Sequence, residues 1–114
     1  MKVTFDYLPE FERRAKDLSK KYKSFVSDYH NFLDDLEKNP FGGESLGCHT
    51  YKHRMPITSK GKGKSGGARI ITYNVQKKSE EEVTVTLMTI YDKNDIGNIS
   101  DAYLRSLIRQ IGLK

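Results

Sequence analysis

Val3, Phe5 and Tyr7 alternate with Lys2, Thr4 and Asp6, the two-residue period of a short, half-buried strand. Pro9 then stands where a helix can begin, because its missing N–H falls among the donors that a first helical turn leaves unused. From Leu8 onward the period lengthens. Phe11, Ala15, Leu18, Tyr22, Phe25, Tyr29, Phe32 and Leu36 follow at steps of three and four, which is helical spacing. One helix over that whole stretch would be about 43 Å long at ~1.5 Å per residue, longer than a domain of this size is wide. A break between Lys20 and Ser24 is therefore expected, with Ser24 capping the second helix and the two helices folded into an antiparallel hairpin. A dimeric coiled coil would want aliphatic residues along the seam, and this seam is mostly aromatic.

Asn39-Pro40 and Gly42-Gly43 end the helical pattern, and a glycine-containing loop is expected as far as His49. Three strands follow: Tyr51 to Ile57, Ala68 to Gln76, and Val83 to Tyr91. The last is rich in Val, Thr, Leu and Ile and apolar on both faces, which implies a neighbour on each side. A polar connection, Lys77-Lys78-Ser79-Glu80-Glu81, joins the second to the third. Ser100 is suited to cap a last helix whose Leu104, Leu107, Ile108 and Ile111 form one stripe, ending at Gly112. The expected class is α+β: an N-terminal strand and helical hairpin packed on a mostly antiparallel, twisted sheet of about four strands, with a C-terminal helix.

The 114 residues, 36% of them hydrophobic, suit a single domain spanning 1–114 that buries roughly 65% of its unfolded surface. Nothing resembles a signal peptide or a membrane-spanning segment, so a cytoplasmic location is expected. Cys48 is the only cysteine. It excludes an internal disulfide and leaves no cysteine pair for zinc. Charge changes the picture more. Eight Lys or Arg and no Asp or Glu lie between Ser45 and Ser79, which leaves 12 basic against 15 acidic residues elsewhere although the whole chain is +5. All of the positive excess is in the central segment, as a polyanionic partner would favour.

Within that segment, Ser59-Lys60-Gly61-Lys62-Gly63-Lys64-Ser65-Gly66-Gly67 is the most informative stretch. Glycines let successive amides turn toward an anion, and the alternating lysines bring cations to the same place. Gly63-Lys64-Ser65 copies the end of a nucleotide-binding P-loop. The motif's first glycine would fall at Thr58, however, and a strand rather than a helix follows, so no nucleotide cofactor is implied. Lys52 and Arg54 share one face of their strand, Arg69 opens the next, and Lys93 lies just past the end of the third. If those strands are adjacent, four cations converge, with almost no carboxylates among them. Such crowding would favour a neutral lysine able to accept a proton. His53, out of phase with Lys52 and Arg54, is expected on the opposite face, and His30 lies in the hairpin. His49 alone could approach the site. No His, Cys or carboxylate grouping has metal-ligand spacing.

Lys52-His53-Arg54-Met55, the Ser59–Gly67 loop running into Ala68-Arg69-Ile70-Ile71, and Leu87-Met88-Thr89-Ile90-Tyr91-Asp92-Lys93 resemble the RelE/ParE toxin superfamily, in its RelE and HigB branch. The resemblance covers Tyr51 to Leu107 well and the helical hairpin by pattern only. It implies a RelE-like fold and a type II toxin that cleaves messenger RNA in the ribosomal A site. The reaction it implies needs neither metal nor cofactor. The RNA 2′-hydroxyl is the nucleophile, and a cyclic phosphate and a free 5′-hydroxyl are left. On the same resemblance Lys52 and Arg54 act on the nucleophile and the phosphate, Arg69 stabilises the transition-state charge, and Lys93 stands near the leaving group. Lys60, Lys62, Lys64, Tyr91 and Tyr103 become candidate RNA contacts. The last two are candidates for a C-terminal tyrosine that has no certain match here. Arg54 replaces a lysine of the archetype, which moves the proton-accepting role toward Lys52 or a loop lysine. The implied partners are an antitoxin encoded beside the toxin, messenger RNA and the ribosome, with no membrane. Two other readings stand beside this one. One is a ParE-like inhibitor of DNA gyrase that cuts nothing; the other is a non-catalytic RNA-binding module, for which the tyrosines could serve as stacking platforms although their spacing matches no RNA-recognition signature.

Overall fold

The computed structural model describes residues 2–61, 63, 66–77 and 81–112. The chain runs through β1 (Lys2–Tyr7), α1 (Pro9–Lys21), α2 (Phe25–Lys38), β2 (Glu44–Gly47), β3 (Thr50–Met55), a single 3-10 turn (Thr58–Lys60), β4 (Ala68–Lys77), β5 (Glu82–Asp92) and α3 (Asp101–Gly112). The strands form one mixed sheet of five in the order β1-β5-β4-β3-β2, with β1 parallel to β5 and every other pair antiparallel. This is the α+β architecture that the periodicities predict, with one strand more. Glu44–Gly47, read from sequence as loop, pairs with β3 through a tight turn in which Gly47, Cys48 and His49 all have positive φ.

The helical break falls where the length argument puts it, at Tyr22 to Ser24, but Ser24 does not cap α2. Its backbone is already helical, and its hydroxyl is occupied elsewhere, donating to Asp28 and accepting from the Ser59 amide. Ser100 does act as expected, accepting the Tyr103 N–H at 3.1 Å. β3 ends before Pro56, which has no amide to offer a neighbouring strand.

Side chains leave the sheet on two sides. Phe11, Leu18, Phe25, Phe32 and Leu36 of the hairpin pack with Met55, Ala68, Ile70, Val83, Val85, Leu87 and Ile90 on one. Leu107 of α3 packs with Leu8, Ile71, Met88 and Tyr91 on the other. β5 is covered on both faces, as its apolar residues on either side imply. Its alternation is interrupted once. Thr72 pairs with Leu87 and Ile71 with Thr89, so Met88 is an extra residue, a β-bulge. Before it, Val83, Val85 and Leu87 face the hairpin; after it the phase is reversed, and Tyr91 joins the α3 side. No helix among the described residues is long and apolar enough to cross a membrane.

Candidate functional site

A cleft of about 630 Å³ opens along the outer edge of β3. β2 reaches only as far as Lys52 in its pairing with β3, so the edge of His53–Met55 lies beyond that register and faces α2 instead. Lys52, Arg54, Arg69 and Lys93 all line this cleft. The sheet explains why. Arg54 is directly opposite Arg69, and Arg69 is directly opposite Tyr91, so three strands contribute one row on one face. Lys93 follows Tyr91 by two, and its amide donates to the Gly67 carbonyl at 3.0 Å, which ties the end of β5 to the start of β4. A Cβ on Gly67 would lie 2.1 Å from the Met55 carbonyl oxygen, so only glycine lets the two strand ends close together there.

Two guanidiniums placed cross-strand repel each other. Burial, and then the charge of Arg54, lowers the Arg69 pKa from its ordinary value. Arg69 is 5% exposed and donates to the Ala68 carbonyl. A phosphate set between the pair would relieve that repulsion. Tyr91, 3% exposed, sits in the α3-side core next to this row. Burial raises its hydroxyl pKa, Arg69 opposes the rise, and Glu44 adds to it.

The cleft is less free of carboxylates than the sequence implies. Asp28, Asp35 and Glu44 line it with the cations, as do Asn31 and Asn39 of the α2 side. Asp28 is 6% exposed and spends its oxygens on the loop: it accepts from the Thr58 amide at 2.8 Å, the Thr58 hydroxyl at 2.5 Å and the Ser24 hydroxyl at 2.8 Å. Burial alone would raise its pKa, but those hydrogen bonds outweigh it and hold the carboxylate below its ordinary range. Glu44 is different. Its side chain is 64% exposed and its carboxylate lies 3.4 Å from the Lys52 ammonium, its register partner.

Among the described residues, the other candidates lie elsewhere. The Lys60 ammonium is held 2.8 Å from the Asp92 carboxylate, with side chains only 7% and 1% exposed. It also lies over the Tyr22 ring, while the Tyr22 hydroxyl donates to Asp92. Lys60 is thus a neutralised foot of the glycine-lysine loop and is not a free cation for phosphate. For Asp92 too, burial raises the pKa and the bonds from Lys60, Tyr22 and the Asn94 amide more than reverse it. The Tyr103 hydroxyl is engaged with Glu10 and Thr89 on the α3 side and does not reach the cleft. Lys62 and Lys64 lie outside the described residues.

His53 faces the hairpin as its phase predicts, bonded to Thr72 at 3.1 Å and edge-on to Phe32. Its 7% exposure pushes its pKa down to about 4. His49 stands on the β2–β3 turn against Tyr73, and His30 is exposed on α2. Among the described residues no group of three or more His, Cys, Asp or Glu is arranged to hold a metal ion. No known protein-family model matches the chain.

Proposed function

We propose that this chain is the toxin of a type II toxin–antitoxin pair, of the RelE and HigB kind, and that it cleaves messenger RNA on the ribosome. The observation that carries this reading is the convergence of Lys52, Arg54, Arg69 and Lys93, from β3, β4 and the turn that follows β5, on one cleft. Opposed arginines suit a phosphodiester, because its non-bridging oxygens accept from both at once and gain charge as a fifth oxygen bonds to phosphorus. The RNA 2′-oxygen attacks the adjacent phosphorus, the bond to the 5′-oxygen breaks, and a cyclic phosphate and a 5′-hydroxyl result. Arg54 and Arg69 stabilise the negative charge that develops on the phosphorane, and Lys93 supplies positive charge at the departing oxygen. A gyrase poison or a simple RNA binder has no need to focus cations on one linkage. The ribosomal substrate implies a cytoplasmic location, and the electropositive cleft is the surface that an antitoxin would cover.

Primer extension on ribosome-associated messenger RNA during expression tests the reading. Cleavage sites should appear with the wild type and fall by about 100-fold or more in Arg69→Ala, the typical effect of removing a donor to a developing oxyanion. Intact messenger RNA accompanied by DNA damage would move the assignment to gyrase.

A further inference from the structure

We propose that Glu44 accepts the proton from the attacking 2′-hydroxyl. The inference rests on the reading of the cleft as an RNA-cleaving site, and it settles a role that the cations leave open. Neither Arg54 nor Arg69 can accept a proton in water, since a guanidinium has no acceptor. Lys52 is ion-paired to Glu44 at 3.4 Å, and in an ion pair the ammonium has no lone pair to offer. Asp28 is buried and committed to Thr58 and Ser24. His53 is directed at Thr72 on the hairpin side. Asp35 lies on the α2 wall, and Tyr91 is buried in the α3-side core. Among the described residues that line the cleft, Glu44 remains: a carboxylate that is accessible and held on the same face as the Arg54–Arg69 row by its register with Lys52.

Its position is built by the chain before it. A Cβ on Gly43 would lie 2.7 Å from both the Lys52 carbonyl oxygen and a His53 ring nitrogen. Glycine there lets β2 close onto β3, and that approach delivers the next residue, Glu44, opposite Lys52. Charged and titratable groups share the Glu44 face of the sheet on three strands: Lys52, its register partner, and Arg54 on β3, Arg69 on β4, and Tyr91 on β5, whose hydroxyl feels both Arg69 and Glu44. In the reaction the Glu44 carboxylate takes the 2′-hydroxyl proton as the 2′-oxygen bonds to phosphorus. The bond from phosphorus to the 5′-oxygen breaks, and the Lys93 ammonium protonates that oxygen. Glu44 is left protonated and Lys93 neutral, and exchange with water restores both. Lys52 is then a positioning residue that aims the carboxylate.

Single-turnover cleavage of a defined messenger RNA in the A site of purified ribosomes tests this with wild type, Arg69→Ala, Glu44→Gln, Glu44→Ala, Glu44→Asp and Lys52→Met. Glu44→Gln should cleave about 100-fold or more slowly with RNA affinity unchanged within threefold, which is the usual worth of a positioned base. Glu44→Asp should keep part of the rate. Glu44→Ala should regain rate with added formate and not with chloride at equal ionic strength, because formate restores an acceptor. Lys52→Met should slow cleavage by about tenfold, less than Glu44→Gln does, because it loosens the carboxylate and leaves the proton acceptor in place. Glu44→Gln cleaving within threefold of wild type overturns the assignment, as does a loss in Glu44→Ala that formate leaves untouched. Lys52→Met abolishing cleavage while Glu44→Gln spares it moves the base to the lysine. A wild type that cuts nothing, like Arg69→Ala, instead sinks the reading of the cleft itself.

Discussion

His53 makes the stability of this fold depend on pH in a window that lies above the titration of the buried carboxylates Asp28 and Asp92. The imidazole is neutral in the folded protein because burial lowers its pKa from 6.5 to about 4. The unfolded chain has no such burial and binds a proton near 6.5. The group's pKa is thus depressed by folding, so its contribution is complete above pH 6.5 and is lost as the pH falls toward 4. Fully expressed, the difference is about 3 kcal/mol, and about 2 kcal/mol of it should be gone by pH 4.5. Asp28 and Asp92 do not blur this window, because both are held below 3.8 and release their stabilisation only at lower pH. The chain has no tryptophan, so urea unfolding is best followed by circular dichroism at pH 7 and pH 4.5. The wild type should lose about 2 kcal/mol between the two, and His53→Gln, which cannot titrate, should lose much less. Equal losses in both proteins would refute the argument.

Two further outcomes are expected. Asp92→Asn should destabilise the fold by about 3–5 kcal/mol in urea unfolding, because it strands the buried Lys60 ammonium, and adding Lys60→Met should recover part of that loss. Arg54→Ala should flatten the dependence of log affinity on log salt for single-stranded RNA by about 0.7, the share of one phosphate contact, while Lys60→Gln should leave the slope unchanged.

How far the sequence is readable depends on whether the partners in an interaction are local. Phe11 to Leu36 declared two helices because each step is a local period, and the break followed from length alone. The shared face of Lys52 and Arg54 was equally plain, since alternation needs no partner strand. Glu44-Ser45-Leu46-Gly47 concealed a strand: four residues after paired glycines show no period, and the pairing with Lys52 exists only once the turn has formed. Lys60 is ambiguous in sequence for a related reason. Its neutralising partner, Asp92, is 32 residues away, and Gly61 to Gly67 suggest a loop lysine like its neighbours. The carboxylates of α2 look like an ordinary solvated helix face until the cleft stands beside them.

The extra residue at Met88 gives β5 a consequence beyond its local shape. The same strand serves two compartments, filling the hairpin core with its first half and leading with its second into Lys93 at the cleft, and one residue performs the changeover. A change of length at this point therefore shifts register in a way that a substitution does not. Deleting a single amino acid there would shorten the strand by little, yet it would reverse the phase of everything that follows, up to the lysine at the rim of the cleft.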